Sequence, residues 1–253
     1  MRKLILCISV AISLGVTYKL ATATEPLTSK SKFVSTENHI QSVYNQIDFG
    51  KNKLDFEVFE KAYRGYLNLK NEGKLNASKE ILSVCDFTKS STEYRLWVID
   101  LKEKKVAIND YVAHGQGSGD EFATAFSNKA NSHQSSLGFF ITDDTYNGKH
   151  GLSLRMRGMD EGFNSAAYDR AVVVHGANYV SKDVVAGQKR LGRSWGCPAV
   201  SNELAPTFIN LIKDHTCLFI YYPQKDYLAS SKWLNKKVDV TPENFVAQSV
   251  NTL

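Results

Sequence analysis

A histidine that closes an apolar run and a cysteine in a glycine-rich turn are the residues of this chain best placed to do chemistry. Val172-Val173-Val174-His175-Gly176-Ala177 reads as a buried strand carrying an imidazole to its end, and the glycine after it lets the backbone turn and a ligand approach. Twenty-two positions on, Cys197 sits in a second turn, Leu191-Gly192-Arg193-Ser194-Trp195-Gly196-Cys197-Pro198-Ala199. Such a pair offers nucleophilic catalysis. A free thiol, with a pKa of about 8.5, is only a few per cent thiolate at neutral pH. An imidazole within reach takes that proton and later gives it to a leaving amine. A backbone carbonyl beside His175 is enough to orient the ring. The glycines let backbone groups of Trp195, Gly196 and Gly176 turn inward as an oxyanion hole, worth about 2.7–4 kcal/mol per donor. Spacing alone also fits an inert pair, because a cysteine is often only a small buried hydrophobe.

The elements that must position these residues are mostly strands. Apolar runs predict strands at Ile81–Phe87, Tyr94–Asp100, Val106–Ala113, Leu137–Thr142, Ala171–His175 and Thr216–Tyr222. Two glycine-rich loops punctuate them, Gly115-Gln116-Gly117-Ser118-Gly119 and Asn147-Gly148-Lys149-His150-Gly151. Residues 37–70 read as helical, with Phe56, Phe59, Tyr63, Tyr66 and Leu67 on one face and Gly73 free to end the helix. That aromatic stripe reads as core packing. A further helix is expected over Asn202–Asp214, after the cysteine turn, capped by Ser201 or Asn202. The fold class expected is mostly β within α+β. The chain divides into a leader (1–23), a tether and helical segment (24–72), a catalytic domain (73–223) and a polar, weakly patterned tail (224–253).

The leader reads from Met1-Arg2-Lys3, through the apolar run Leu4–Val16, to Ala21-Thr22-Ala23, the order of a cleavable signal peptide. The run is too short for a membrane span, so no stable span is expected after cleavage. Export to the periplasm or cell envelope is therefore expected. The net charge of the 253-residue chain is +5, but Arg2, Lys3 and Lys19 lie in that acid-free leader, so little argues for nucleic-acid binding. With 43% hydrophobic and 23% charged residues, disorder is excluded as the main state. Cys7 leaves with the leader, and the three remaining cysteines force at least one free thiol in a monomer. Cys85 and Cys217 lie in apolar strand-like runs and read as core; Cys197 does not.

The string His175-Gly176 with Gly192-Arg193-Ser194-Trp195-Gly196-Cys197-Pro198-Ala199, in an exported chain, resembles the L,D-transpeptidase catalytic-domain family of bacterial cell-wall enzymes, the YkuD-like group. The resemblance covers roughly residues 81–222. Ser135-Ser136-Leu137-Gly138-Phe139-Phe140 is similar to the family's cleft-lining segment, and His114-Gly115-Gln116-Gly117-Ser118-Gly119 marks a distinct branch. The wider family has His before the Gly-Cys pair, where this chain has Trp195. The resemblance implies an L,D-transpeptidase-like β-sandwich or barrel, no metal or organic cofactor, and peptidoglycan stem peptides as partners. It also implies that the Cys197 thiolate attacks the third residue of a stem tetrapeptide, a diamino acid, and that D-Ala leaves with a proton from His175. The thioester then passes to an amine, giving a 3→3 cross-link, or to water, giving an L,D-carboxypeptidase.

Three further residues are candidates for substrate contact. His114 opens the first glycine loop; Arg193 has the planar fork that suits a carboxylate; Ser194 offers a hydroxyl in the cysteine turn. Each has a plain structural reading beside it, in a turn or an ion pair. Asn128, Tyr146, Arg155 and Arg170 are weaker cleft candidates. His133, His150 and His215 have no partner at short spacing, and no compact zinc pattern is present. Asn76-Ala77-Ser78 is a formal glycosylation sequon without meaning in a bacterial protein. A sortase-like enzyme would need an Arg after the cysteine, and none follows Cys197. A papain-like order would need His215 as base, yet it sits at a helix end. A non-catalytic peptidoglycan-binding module is the remaining alternative. Oligomeric state is not readable from the chain.

Overall fold

Eight strands form a single mixed sheet in the order β3-β2-β1-β8-β4-β5-β6-β7. The computed structural model describes residues 35–238, which fall within one compact unit. The leader, most of the tether and the last fifteen residues lie outside the described residues. The strands are β1 (Ile81–Asp86), β2 (Leu96–Asp100), β3 (Lys105–Asp110), β4 (Gly138–Gly148), β5 (Gly151–Gly158), β6 (Val173–Ala177), β7 (Ala199–Ser201) and β8 (Cys217–Tyr221). The helices are α1 (Thr36–Gln46), α2 (Phe56–Asn71), α3 (Lys182–Gln188), α4 (Ala205–Ile212), α5 (Lys225–Ser230) and α6 (Lys232–Asn235). The architecture is α+β and mostly β around the cysteine turn. After β3, at one edge of the sheet, the chain bridges across to β7 at the other edge through Ala113↔Ala199, and Gly115↔Ser194 continues the contact. The sheet is thereby curled, with its two edges tied beside Cys197.

The central strands β1 and β8, and β4 over Gly138–Thr142, are buried because they read as apolar runs, as a sheet covered on both faces requires. Cys85 and Cys217 lie there as free, fully buried thiols. The helical segment is broken: α1 ends at Gln46, and α2 starts at Phe56 under an Asp55 cap whose carboxylate accepts the Glu57 amide at 2.8 Å. The aromatic stripe of α2 faces the core as its spacing dictates, with Phe59, Tyr63, Tyr66 and Leu67 buried. α4 is shorter than expected, and Ser201 caps its approach by accepting the Leu204 amide at 3.1 Å.

Three elements were not expected from the sequence. β5 completes a hairpin with β4, where Gly148↔Gly151 brackets the turn Lys149-His150. β7 is a three-residue strand, and α3 has no buried residue. The segment from 224 is corrected as well. Instead of a weakly patterned tail, its described part forms α5 and α6, whose Tyr227 and Trp233 are fully buried. Asn68 of α2 donates to the Trp233 carbonyl at 2.9 Å, and the Trp233 indole N–H donates to the Met159 carbonyl at 2.7 Å. These helices therefore belong to the core.

Candidate active site

β6 holds the candidate base and β7 brings the candidate nucleophile beside it. β6 pairs with β5 through Ser153↔His175 and with β7 through His175↔Ala199. Cys197 lies two residues before β7. Its Sγ accepts the Val173 amide at 3.5 Å and lies 3.8 Å from the Ala171 carbonyl. The sulfur thus abuts the first residue of β6, and His175 is two positions further on, roughly 7 Å of strand. The imidazole is buried, and its Nδ1–H donates to the Gly176 carbonyl at 2.8 Å. That bond fixes the tautomer and leaves the Nε2 lone pair as the proton acceptor. Gly176 therefore contributes a carbonyl that orients the base.

The electrostatics describe a neutral resting pair. Burial pushes the Cys197 thiol up, offset in part by the Val173 N–H and then by the Arg170 guanidinium. Burial pushes His175 down, the Gly176 carbonyl offsets this in part, and His150 adds to the lowering. With the thiol raised and the imidazole lowered, a preformed thiolate–imidazolium pair is disfavoured.

The cysteine turn is braced from within and from below. Ser194 Oγ donates to the Cys197 carbonyl at 2.6 Å and accepts the Gly196 amide at 3.0 Å. The Gly196 amide is therefore already used and does not serve an oxyanion. Among the described residues, the Trp195 and Cys197 amides have no partner and remain for that role. Gly196 has φ +119, and a Cβ there would lie 2.7 Å from the Gln134 carbonyl oxygen. Gly115 packs against the same turn: a Cβ on it would sit 2.8 Å from the Gly196 Cα. Two glycines thus let two backbones meet where the turn crosses the loop after β3.

The three residues expected at the substrate each make contacts within the protein. Ser194 is buried, and its hydroxyl is taken up by the turn. His114 is also buried, and its Nδ1 accepts from Arg95 at 2.7 Å. Its backbone carbonyl accepts the Ser194 amide at 3.0 Å, so it holds the cysteine turn. Burial and the Arg95 charge push His114 down to about 3. Arg95 is fully buried, donates to the Val112 and Lys89 carbonyls, and lies over the Phe87 ring. Arg193 donates through one terminal nitrogen to the Gly119 carbonyl at 2.9 Å and shares Asp120 with Arg190.

Tertiary structure adds residues to which the chain gave no partner. His150, at the β4–β5 turn, stacks on His175 at 4.4 Å between ring centroids. His133 stacks on Trp195 at 4.9 Å and 9°. Arg170 donates to the Ser127 carbonyl at 2.7 Å and the Gln134 carbonyl at 2.8 Å, and also to the hydroxyls of Ser132 and Ser136, which ties the 127–136 loop beneath Gly196. Tyr179 is raised to about 12 by burial and by proximity to Cys197. Of these residues, Arg170 was among the weaker cleft candidates of the sequence; Tyr179 was not singled out. Among the described residues, no three His, Cys, Asp or Glu side chains converge as a metal-binding set. A cleft of about 650 Å³ lined by Tyr94, Asp110, Tyr111 and Lys182 does not include Cys197 or His175.

No curated protein matches the chain. Among solved structures it is similar to an L,D-transpeptidase from Mycobacterium smegmatis, at 14% identity and a TM-score of 0.36 over 57% of this chain and 59% of that one. It is also similar to an L,D-transpeptidase from Mycobacterium tuberculosis, at 11% identity and a TM-score of 0.32 over 57% of this chain and 58% of that one. A variant of the Enterococcus faecium L,D-transpeptidase is similar at 12% identity and a TM-score of 0.33 over 56% of this chain and 50% of that one. The match spans less than two thirds of each of these chains. The L,D-transpeptidase catalytic-domain family itself matches residues 50–221, well over half of the sequence, and the chain belongs to that family.

Proposed function

We propose that this protein is an exported peptidoglycan L,D-transpeptidase with Cys197 as nucleophile and His175 as general base and acid. The observation that carries the reading is the pairing of a free, half-buried sulfur at the start of β6 with an imidazole two residues on. The Nδ1–H of that imidazole is spent on Gly176, which leaves Nε2 as the basic nitrogen. Nε2 takes the thiol proton as sulfur attacks the carbonyl of the diamino acid in a stem tetrapeptide. The oxyanion forms against the amides of Cys197 and Trp195. Its collapse breaks the amide to D-Ala, whose nitrogen leaves with the proton from His175. An amine of a second stem then attacks the thioester, His175 takes its proton, and the thiol is restored with a 3→3 amide bond. Water in place of the amine gives carboxypeptidase activity. A covalent intermediate serves both outcomes, because it divides one hard exchange into two easier steps.

Export rests on the leader in residues 1–23. Among the described residues, no helix is long and apolar enough to cross a membrane. The decisive test incubates the protein with purified muropeptides and reads the products by mass spectrometry. Cross-linked dimer, tripeptide and exchanged peptide differ in mass. Cys197→Ala is expected to abolish D-Ala release and His175→Ala to lower it strongly. Undiminished release from either variant overturns the assignment of roles.

A further inference from the structure

Trp195 is more exposed than the other large apolar side chains that reach the surface, at 72% against 46% for Phe122 and 41% for Tyr168. It lies two residues from Cys197. One face of its indole is covered by His133 at 4.9 Å and 9°, so the exposure belongs to the opposite face. The mount is rigid. His133 holds a left-handed φ of 54, and its Nδ1 accepts from Gln116 at 3.0 Å. Arg170 pins the neighbouring Gln134 carbonyl at 2.8 Å, and on the other side the turn is closed by Ser194. A flat apolar face, backed by His133 and presented to water two residues from Cys197, is suited to stack on the apolar face of a ligand.

Its size selects the occupant. A protein partner needs about 800 Å² per side. A single indole offers on the order of 150–250 Å², the footprint of one ring. Reach points the same way, and this step rests on the peptidoglycan reading above. If sulfur attacks the third residue of a stem, the sugar that bears the stem lies three extended residues away, about 10 Å. The Trp195 Cα is at most about 7 Å from the Cys197 Cα, and the side chain adds several ångströms. The carbohydrate of the donor strand is therefore within reach of the indole. A pyranose has an apolar C–H face that packs on an aromatic plane.

We infer that the Trp195–His133 stack is a saccharide subsite, which takes one N-acetylated hexopyranose of the donor glycan on the open face of the indole. The protein carries its own reporter. Of its three tryptophans, Trp97 and Trp233 are buried and only Trp195 meets solvent. Titrating the intact protein with a peptide-free tetramer of β-1,4-linked N-acetylglucosamine is expected to give a saturable change in tryptophan emission. Calorimetry with the same tetramer is expected to show about fivefold or greater weakening in Trp195→Ala, with Trp195→Phe in between. A second arm compares kcat/KM for a disaccharide-tetrapeptide and for the sugar-free tetrapeptide. Trp195→Ala is expected to lower their ratio by about fivefold or more, which a general disturbance of the turn would not do. Emission unchanged at millimolar tetramer, equal binding by Trp195→Ala, or an unchanged ratio each overturns the subsite. The two readings fail separately. A protein that binds the tetramer but releases no D-Ala keeps the subsite and loses the enzyme. One that turns over both substrates with a silent indole keeps the enzyme and loses the subsite.

Discussion

Replacing Gly196 with alanine tests whether the cysteine turn is shaped by backbone contact. Two costs are readable. First, φ +119 lies outside the regions open to residues with a Cβ, at about 1–3 kcal/mol. Second, the new Cβ would sit 2.7 Å from the Gln134 carbonyl oxygen, where ordinary contact begins at 3.4 Å, so the loop must retreat by about 0.7 Å. That carbonyl also holds Arg170 at 2.8 Å, so the retreat loosens the clamp under the turn. In a protein of this size, about 1 kcal/mol moves Tm by roughly 2–4 °C, so the strain alone predicts a fall of about 2–12 °C. The larger effect is on chemistry. The Trp195 and Cys197 amides flank the substitution, and misdirecting one oxyanion donor costs about 10²–10³ in kcat. Thermal unfolding and D-Ala release measured on one preparation separate the two effects. Gly187→Ala is the control: a Cβ there meets nothing within 4 Å, and the residue lies in the exposed helix α3. It should leave both measurements near wild type or raise Tm slightly. A Gly196→Ala protein with wild-type Tm and wild-type turnover refutes the reasoning.

The other predictions follow from the same contacts. With the Cys197 thiol raised by burial, alkylation by iodoacetamide, followed by intact mass, should rise about tenfold per pH unit from 6 to 8.5; a plateau below pH 7 would reveal a preformed thiolate and contradict the neutral pair. Arg170→Gln removes the cation that opposes that burial, so its alkylation profile should move to higher pH than wild type, with Arg170→Lys in between; an unshifted profile denies Arg170 any electrostatic hold on the sulfur. His114, held neutral with its pKa near 3 against an ordinary 6.5, binds fewer protons folded than unfolded, so stability should fall as pH drops from 6.5 toward 3, by roughly 4 kcal/mol over the window. Urea unfolding at each pH reads this, and His114→Gln, which keeps an acceptor for Arg95, should flatten the dependence. Trp233→Ala should cost about 3–5 kcal/mol in the same unfolding assay, as expected for a core side chain; a loss below about 1 kcal/mol would detach α6 from the core.

The long apolar runs carried most of the fold. β1, β8, β6 and the first half of β4, Gly138–Thr142, are buried on both faces, so each appears in the sequence as a continuous block whose location needs no partner to be seen. β7 escaped because three residues are too few to show a period. α3 escaped because none of its residues is buried, which leaves no apolar stripe. β5 does alternate, with Leu152, Leu154 and Met156 set against Ser153, Arg155 and Arg157, but this short run follows directly on a glycine-rich turn. In the tail, Tyr227 and Trp233 are isolated anchors among polar residues, and isolated anchors carry no periodicity. At the candidate site, His175 and Cys197 were visible because each sits beside a glycine at the end of a recognisable element. His150 and His133 were not visible as site residues, and Arg170 was visible only as one of several weak cleft candidates. Their partners lie 25, 62 and 27 positions away in sequence, and only the hairpin and the sheet closure bring them together.

The supports around the turn explain why so few of its residues are free for substrate. A nucleophile on a surface turn must be held within a fraction of an ångström, and a turn alone cannot do this. Here the sheet provides the rigidity. Its two edges meet at Ala113↔Ala199, and His114, immobilised by Arg95, carries the next contact to Ser194. Arg193 and Ser194, close to Cys197 in sequence, hydrogen-bond within that frame. The residue left facing outward is Trp195, whose side chain takes no part in the bracing. The thiol itself rests protonated, and the imidazole rests neutral with its Nε2 lone pair open. Reaction then requires the proton to move only when a carbonyl is in place to receive the sulfur's electrons. A protonated thiol is also less open to adventitious oxidation than a permanently ionised cysteine. On this argument, the raised thiol and the lowered imidazole are compatible with catalysis because substrate, rather than a standing ion pair, completes the charge balance of the site.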